Sequence, residues 1–285
     1  MKELAINKPV PNKASLPDRE LFSVPLDLIC RNRTLKYPIY LRVNDKPVLF
    51  RPEGDKLSSE RADRLKARID HVAIPKSYLS KFLNAVEGSI ASDVSEASNK
   101  GEEAANRLRG LMVALGTSLQ EHSQTHYSTL AKLNHLAGRV AVTLRNNPGL
   151  AKNLIRRYSN SAMYFANHNV NVAIYGAMMG FKLGLSLPEV KVLTYGCLVH
   201  NIGNVFVPDE ILYKAGPLTI LEWVEIQSHP QKGAALMESF HAPVEIVKMI
   251  RQHHERFDGK GYPGSLAGKQ IHIFARVCEI GRAHV

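Results

Sequence analysis

The sequence predicts a mainly α-helical fold, with a helical bundle in the C-terminal half and a small α/β module near the N-terminus. Three observations lead to this prediction. Apolar residues recur at helical spacing beyond residue 100, two short runs of alternating apolar residues lie between residues 35 and 50, and inward-facing histidines accumulate after residue 160. With 285 residues, 45% of them hydrophobic, the chain is long enough to form one to two domains.

The composition limits the classes of partner and the compartment. Lys182 interrupts the longest apolar stretch before it reaches the roughly 18 residues that span a bilayer, and the N-terminus lacks the apolar core of a signal peptide. The three cysteines are too far apart for a disulfide framework or a metal knuckle. We therefore expect a cytoplasmic protein without membrane association. The net charge of +11 suits an anionic ligand, but the Lys and Arg residues form no basic block that would indicate nucleic-acid binding.

The first 87 residues divide into an arm and a small module. Residues 1–22 are rich in Pro, Lys and Asn and lack periodicity, which predicts an extended or mobile arm. Within residues 23–87, two alternating runs flank the turn-forming Asn44-Asp45 pair and predict a β-hairpin. The other elements are a helix capped by Ser58 or Ser59 and ending at Ala67, a strand over residues 71–75 and a helix over residues 77–86. The module shows no titratable cluster, so we expect a sensory or protein-contact role by default.

Residues 88–149 are predicted to form a linker and a helical connector. The serine-rich segment 88–100 is the linker, and two apolar stripes at helical spacing follow it. The stripes comprise Leu108, Leu111, Met112, Leu115 and Leu119, then Leu130, Leu133, Ala137, Val140 and Leu144. They are compatible with a dimerising helical stalk and with a helical cover over the C-terminal core. His122 and His126 have the i, i+4 spacing of a metal pair, but their polar neighbours favour a solvated helix face.

Five histidines in the C-terminal half are predicted to face the core. One predicted helix surrounds His168, and a second begins at Pro188 and ends at His200. A third is capped by Thr219 and Glu222 and ends near His229. The fourth runs from Ala242 to Glu255 and contains His253 and His254. Each histidine alone is compatible with an ordinary buried side chain. Together, at or near the ends of four successive helices, they predict a metal site, because neutral imidazole is the commonest protein ligand for transition metals.

Three stretches carry a resemblance to a known family: VPDEILYKAGPLTILEW, HPQKG and HHERFDGKGYPGSLAGKQI. Over residues 150–278 the sequence resembles the HD-GYP family, a branch of the HD-domain metal-dependent phosphohydrolases whose bacterial members typically hydrolyse the second messenger cyclic di-GMP. The resemblance implies an HD-type helical bundle and a centre of iron or manganese, with His168 and His200 on one ion and His229, His253 and His254 on the other. It also implies diguanylate cyclase domains among the partners and a substrate-side, partner-contact loop comprising Arg256, Asp258, Lys260, Gly261, Tyr262 and Pro263.

Two positions depart from the family pattern of His-Asp followed by Ile-Gly-Lys. Asn201 replaces the aspartate that bridges the two metals, and Asn204 replaces the lysine that pairs with a phosphate. An amide is neutral and binds a cation less well than a carboxylate does. We therefore expect one well-bound ion, held by the three histidines 229, 253 and 254, and weakened activity. In addition, Tyr164 stands where three-metal members of the family carry a glutamate.

Three hypotheses about function remain open at this point. The chain is a cyclic di-GMP phosphodiesterase of reduced activity, or a catalytically silent HD-GYP module that binds a cyclic dinucleotide or a diguanylate cyclase partner. The third hypothesis is a structural homodimerisation module built on the long helices. A nucleotide-binding measurement separates the third from the other two, because it predicts no affinity.

The C-terminal end has an unusual sequence. Its last seven residues, EIGRAHV, match the translation of a widely used sequencing-adapter oligonucleotide. We therefore expect residues 279–285 to be a non-native tail and the HD-GYP domain, residues 150–278, to be truncated.

Overall fold

The computed structural model describes residues 16–17, 20–26, 34–43, 46–66, 69, 71–82, 109–110, 112, 126–155 and 161–284. The chain divides into two compact units, Met1–Phe82 and Leu83–Val285. The predicted linker, His122 and most of the first apolar stripe lie outside the described residues. The structure is mainly helical with one small antiparallel sheet, which confirms the predicted fold class. Within the described ranges, no helix is long and apolar enough to cross a membrane.

The N-terminal unit is built on a four-stranded antiparallel sheet in the order β1-β4-β2-β3. The strands are β1 Leu21–Pro25, β2 Ile39–Val43, β3 Lys46–Arg51 and β4 His71–Pro75. The predicted hairpin is confirmed, because β2 and β3 pair along their lengths with Val43 opposite Lys46 at the closed end. The predicted strand over residues 71–75 is confirmed as β4.

Strand β1 corrects the predicted arm, because Leu21 and Phe22 belong to it rather than to an extended N-terminal segment. The sequence LFSVP gives no strand signal of its own, since a serine and a proline interrupt its apolar residues. Pairing with β4 decides the outcome. Phe22 lies opposite Ile74 in the sheet, and its ring meets that of Phe82 edge-on at a centroid distance of 5.7 Å. Long-range packing thus makes a strand of a segment that its local sequence does not specify.

The helical parts of this unit begin as predicted. Helix α1 spans Ser59–Lys66, and Oγ of Ser58 accepts the N–H of Arg61 at 3.4 Å, which identifies Ser58 as the cap. After β4, a 3₁₀ turn at Lys76–Tyr78 leads into helical residues 79–82. The remainder of the helix predicted over residues 77–86 lies outside the described residues.

The C-terminal unit is a bundle of helices. They are α2 His126–Asn146, α3 Ala151–Leu154, α4 Ser161–Lys182, α5 Leu187–Val199, α6 Asp209–Leu212, α7 Ile220–Gln227, α8 His229–Ser239, α9 Val244–Gln252 and α10 Ile273–Arg282. Helix α2 packs against α4 and α5, and α10 packs against α4 and α9. Leu133, Ala137 and Leu144 of the second predicted stripe are fully buried, so α2 contributes to the core. Residues 279–282 of the predicted tail continue α10.

Capping residues fix the starts of two helices near the histidines. Ser186 and Glu189 form a capping box at the start of α5, whose first turn also holds the predicted proline. Thr219 and Glu222 form the predicted capping box of α7. These reciprocal bonds satisfy backbone N–H groups that have no partner inside the helix.

Two of the predicted relations between histidines and helix ends are wrong, and one is confirmed. His168 lies inside α4 rather than near its end. Helix α7 ends at Gln227, near His229 as predicted, and His229 also begins a separate helix, α8, whose first turn accommodates Pro230. Helix α9 ends at Gln252 rather than at Glu255, so His253 is its C-cap and His254 lies beyond the helix. The N–H of Glu255 instead closes a turn onto the carbonyl of Gln252 at 2.9 Å.

Candidate metal centre

Four helices bring the five predicted histidines into one contiguous cluster. His168 projects from α4, His200 follows α5, His229 begins α8, and His253 and His254 follow α9. Ring centroids lie 5.4 Å apart for His168 and His200, 5.0 Å for His200 and His253, 5.2 Å for His229 and His253, 5.0 Å for His229 and His254, and 4.4 Å for His253 and His254. The rings therefore form an unbroken chain through the core of the unit.

Backbone carbonyls near helix ends orient three of these rings. The Nδ1 atoms of His200, His229 and His253 lie 2.7, 2.7 and 2.6 Å from the carbonyl oxygens of Cys197, Ile226 and Ile250, each three residues earlier. A carbonyl oxygen only accepts, so each Nδ1 carries the proton and donates it. Carbonyls in the last turn of a helix lack their regular partners, which makes them available for this bond. The bond leaves each Nε2 with an unshared lone pair.

The geometry of His229, His253 and His254 fits a single transition-metal ion. Within the described residues, these three are the histidine, cysteine or carboxylate side chains whose ligand atoms all lie within 4.8 Å of one another. The Nε2 atoms of His229 and His253 are 3.2 Å apart, and neither carries a proton to share with the other. Two lone pairs at this distance repel each other unless a cation lies between them. A nitrogen–nitrogen edge of this length belongs to a tetrahedron with metal–nitrogen bonds of about 2.0 Å.

The protonation states also suit a cation. Burial, with a smaller contribution from the Arg282 guanidinium, lowers the pKa of His168 to about 4, and burial lowers the pKa of His229 to about 4. Burial likewise lowers the pKa values of the other three, His200, His253 and His254, well below 6.5. Only a neutral imidazole binds a metal, so at pH 7 all five rings are in the binding form.

The half of the cluster at His168 and His200 has neutral side chains and the Arg282 guanidinium around it, and no carboxylate among the described residues contributes a ligand atom beside these two rings. Nδ1 of His168 and Nε2 of His200 are buried and have no hydrogen-bond partner in the described part of the chain. Nδ2 of Asn201 donates to Oδ1 of Asn169 in α4 at 3.2 Å, and Tyr164 stacks on His168 at a centroid distance of 6.0 Å. Amides and imidazoles supply no negative charge, so these groups do not fit a second divalent ion. The pairing joins α4 to the residue that precedes the 3₁₀ turn after α5, and it could not be predicted from the sequence.

The loop that follows the histidine pair is held in place by Glu255. Its carboxylate is buried and accepts the N–H of Gly264 at 2.6 Å and that of Leu266 at 2.9 Å. No role was predicted for Glu255 from the sequence, although it stands within the HHERFDGKGYP motif. The available signal was a carboxylate beside a glycine-rich turn, because such a turn leaves backbone N–H groups without regular partners.

Tyr262 joins this loop to the histidines. Its ring stacks on that of His254 at a centroid distance of 4.5 Å and an angle of 17°, and its N–H donates to the His254 carbonyl at 3.1 Å. Gly261 permits the approach, because a Cβ there would lie 2.5 Å from both the carbonyl oxygen of His254 and Cα of Glu255. Burial raises the pKa of Tyr262 to about 12, so the phenol is neutral at pH 7. The peptide bond between Tyr262 and Pro263 is cis.

The other predicted loop residues are exposed and bond to one another. The guanidinium of Arg256 donates to both carboxylate oxygens of Asp258, at 3.1 and 2.7 Å, and the N–H of Lys260 donates to the same side chain at 3.1 Å. The bond from Arg256 holds the pKa of Asp258 below its usual value. Asp258 therefore shapes the loop and balances the charge of Arg256, while Lys260 places a positive charge at its surface. Asn204 lies in the 3₁₀ turn Ile202–Phe206 that follows the end of α5.

Comparisons with known proteins match the part of the chain that holds the histidine cluster. Residues 146–283 match the HD domain family. The chain is 34% identical over 154 residues to a cyclic di-GMP phosphodiesterase of Pseudomonas aeruginosa, covering 53% of this chain and 37% of that protein. It is 34% identical over 115 residues to the 3'3'-cGAMP-specific phosphodiesterase 2 of Vibrio cholerae, covering 40% of this chain and 22% of that protein. The matched regions thus span well under half the length of these relatives.

A solved structure shares the fold. An HDG"Y"P protein from Bdellovibrio bacteriovorus aligns with a TM-score of 0.65 at 19% sequence identity, covering 92% of this chain and 86% of that chain. At this level of identity, the likeness concerns the fold alone.

Proposed function

Because residues 146–283 of this chain form a domain of the HD family, we propose that the chain is a metal-dependent phosphodiesterase of the HD-GYP type that acts on cyclic di-GMP, with one ion held by His229, His253 and His254. The main support for this proposal is the distance of 3.2 Å between the unprotonated Nε2 atoms of His229 and His253. The proposed ion is iron, which imidazole ligands suit, or manganese. Such an ion acts as a Lewis acid toward a phosphate oxygen and lowers the pKa of water.

The choice of a cyclic dinucleotide as substrate is supported by the relatives and by the loop. Two of the relatives are named for cyclic di-GMP and 3'3'-cGAMP, which are both phosphodiesters. The net charge of +11 favours an anionic ligand, and Lys260 brings one positive charge to the loop beside the histidines in addition to the ion pair between Arg256 and Asp258. Tyr262 covers one face of the His254 ring, which limits the directions from which a phosphodiester reaches the three-histidine site.

A second candidate function is a catalytically silent module that binds a cyclic dinucleotide or a diguanylate cyclase partner. The hydrogen bond from Asn201 to Asn169 favours it, because a neutral amide occupies a position where the family has a bridging carboxylate. Asn204 likewise offers no cation to a phosphate. Without these two charges, developing charge in the transition state is stabilised less well.

A combined metal and turnover assay separates the two functions. The chain is loaded anaerobically with iron or manganese, the bound metal is counted by elemental analysis, and hydrolysis of cyclic di-GMP and 3'3'-cGAMP is followed by chromatography. We expect about one ion per chain and slow hydrolysis that a chelator abolishes. An Asn201→Asp, Asn204→Lys double variant is expected to bind a second ion and to hydrolyse the substrate faster.

Each outcome has a definite meaning. Cyclic di-GMP binding without hydrolysis in the unchanged chain, together with hydrolysis by the double variant, supports the silent module. A chain that binds no metal under these conditions contradicts the proposed phosphodiesterase. The single Asn204→Lys variant serves as a control, because it restores a phosphate partner without changing the metal ligands.

A further inference from the structure

Helix α7 exposes an apolar face to solvent in the described structure. Ile220 is 84% exposed, Leu221 82%, Val224 58% and Trp223 47%. These four residues, named here the α7 patch, stand at positions i, i+1, i+3 and i+4 and so share one side of the helix. An amphipathic helix normally turns such a side toward a core. A contiguous exposed apolar patch on a folded protein marks an interaction surface.

The charges around the α7 patch are already neutralised within the chain. Glu222 pairs with Lys214 at 2.6 Å, and Glu225 pairs with Lys232 at 2.6 Å. The acidic side chains of this helix therefore offer little net charge to a partner of either sign. An anionic lipid surface requires basic side chains beside the apolar residues, and an acidic partner requires the same. The surface that best complements an uncharged apolar helix face is another face of the same kind.

We propose that the α7 patch is the contact between two copies of this chain. Around a two-fold axis the same patch serves on both copies, so an apolar face without net charge is self-complementary. The four side chains, each exposed by about half or more, present on the order of 500 Å² of accessible apolar surface per copy. Two copies then bury on the order of 1,000 Å², which is the lower bound for a specific interface.

The α7 patch is also connected to the candidate metal centre. The ring of Trp223 meets that of Tyr262 edge-on at a centroid distance of 6.4 Å, and Tyr262 stacks on His254 at 4.5 Å. Association of two copies thus fixes Trp223 against the loop that borders the three-histidine site. The association itself does not depend on catalysis, so it is tested without substrate.

The test measures the oligomeric state of the full chain and the emission of its single tryptophan, which lies in the patch. Sedimentation velocity is recorded from about 1 to about 100 µM, a range that covers micromolar dissociation constants. We expect a dimer at the upper end and a blue shift of Trp223 emission that follows dimer formation. Leu221→Glu is expected to raise the dissociation constant at least about tenfold, because it removes a buried apolar contact and adds a charge.

Val244→Glu is the matched control. Val244 is 57% exposed, outside the patch, and begins α9, where a carboxylate is favourable. The proposal holds if the unchanged chain and the control form dimers and Leu221→Glu stays monomeric with an unchanged circular dichroism spectrum. A monomer at all concentrations overturns it, as does a dimer that Leu221→Glu leaves intact. Binding of the monomer to lipid vesicles that Leu221→Glu abolishes also overturns it and assigns the patch to a membrane surface.

Discussion

Replacing Glu255 by glutamine is expected to release the loop that borders the three-histidine site. The carboxylate accepts two backbone N–H groups, from Gly264 at 2.6 Å and from Leu266 at 2.9 Å, and the side chain is only 2% exposed. A hydrogen bond to a charged acceptor contributes about 1.5–3 kcal/mol. Glutamine keeps one acceptor oxygen but turns an NH₂ group toward the second N–H. We therefore expect opening of the loop to become easier by about 2–4 kcal/mol.

Limited proteolysis measures this opening directly, because Lys260 lies within the loop and is a trypsin site. A change of about 2–4 kcal/mol corresponds to cleavage about 30 to 1,000 times faster when cleavage follows the population of the open form. Glu238→Gln is the control, since Glu238 is 52% exposed and forms a surface ion pair with Arg251. Such a pair contributes at most about 1 kcal/mol, so its removal changes the rate less than about tenfold. Equal cleavage rates in the two variants would refute the role given to Glu255.

Three further predictions concern the histidine centre. Gly203→Ala is expected to destabilise the fold by about 1–3 kcal/mol in urea unfolding, because the new Cβ would overlap the carbonyl oxygen of His229, whereas Gly216→Ala, with open space around it, is neutral. His254→Ala is expected to lower the metal affinity more than about 100-fold, which is the upper end of the effect of losing a hydrogen-bond partner of a ligand. The exposed His135→Ala is expected to leave the affinity unchanged, and competition with a chelator measures both variants. In metal-free protein, His229 stays neutral in the folded state down to about pH 4. Its contribution to the free energy of unfolding is therefore fully present above about pH 6.5 and falls at lower pH, where the imidazole of the unfolded state takes up a proton. Between about pH 7.5 and pH 5 this group removes about 2 kcal/mol in urea unfolding, and His229→Gln should reduce the loss by that amount.

The sequence predicted the parts of the fold that depend on local pattern. The capping box of Thr219 and Glu222, the hairpin, and the buried stripe of α2 all follow from spacing over a few residues. Strand β1 was missed because its partner β4 lies about fifty residues away, and no local pattern encodes that pairing. The α7 patch was also beyond prediction. Its apolar residues have the spacing of a core helix, and only the three-dimensional arrangement leaves them exposed.

The candidate site was predictable to a similar degree. The five histidines were found because the motif around His253 and His254 is specific and the others fall on apolar faces of predicted helices. The sequence predicts no role for Glu255, because its hydrogen bonds to the N–H groups of Gly264 and Leu266 depend on the path of an irregular loop. Periodicity describes which face of an element is buried, but it carries no information about partners of single polar atoms in loops.

The positions of the histidines explain how the proposed centre keeps its geometry with an amide at position 201. His200, His229 and His253 each satisfy a helix-end carbonyl through Nδ1 while offering Nε2 to the site, so each ring serves the backbone as well as an ion. Among the described residues, the side chain of Asn201, just after α5, has no such backbone partner, and its amide donates instead to Asn169 of α4. Replacing an acid by an amide there removes a charge without removing support from a helix end. The three-histidine half therefore keeps its geometry independently of the other half, which is the physical basis for expecting one ion rather than two or none.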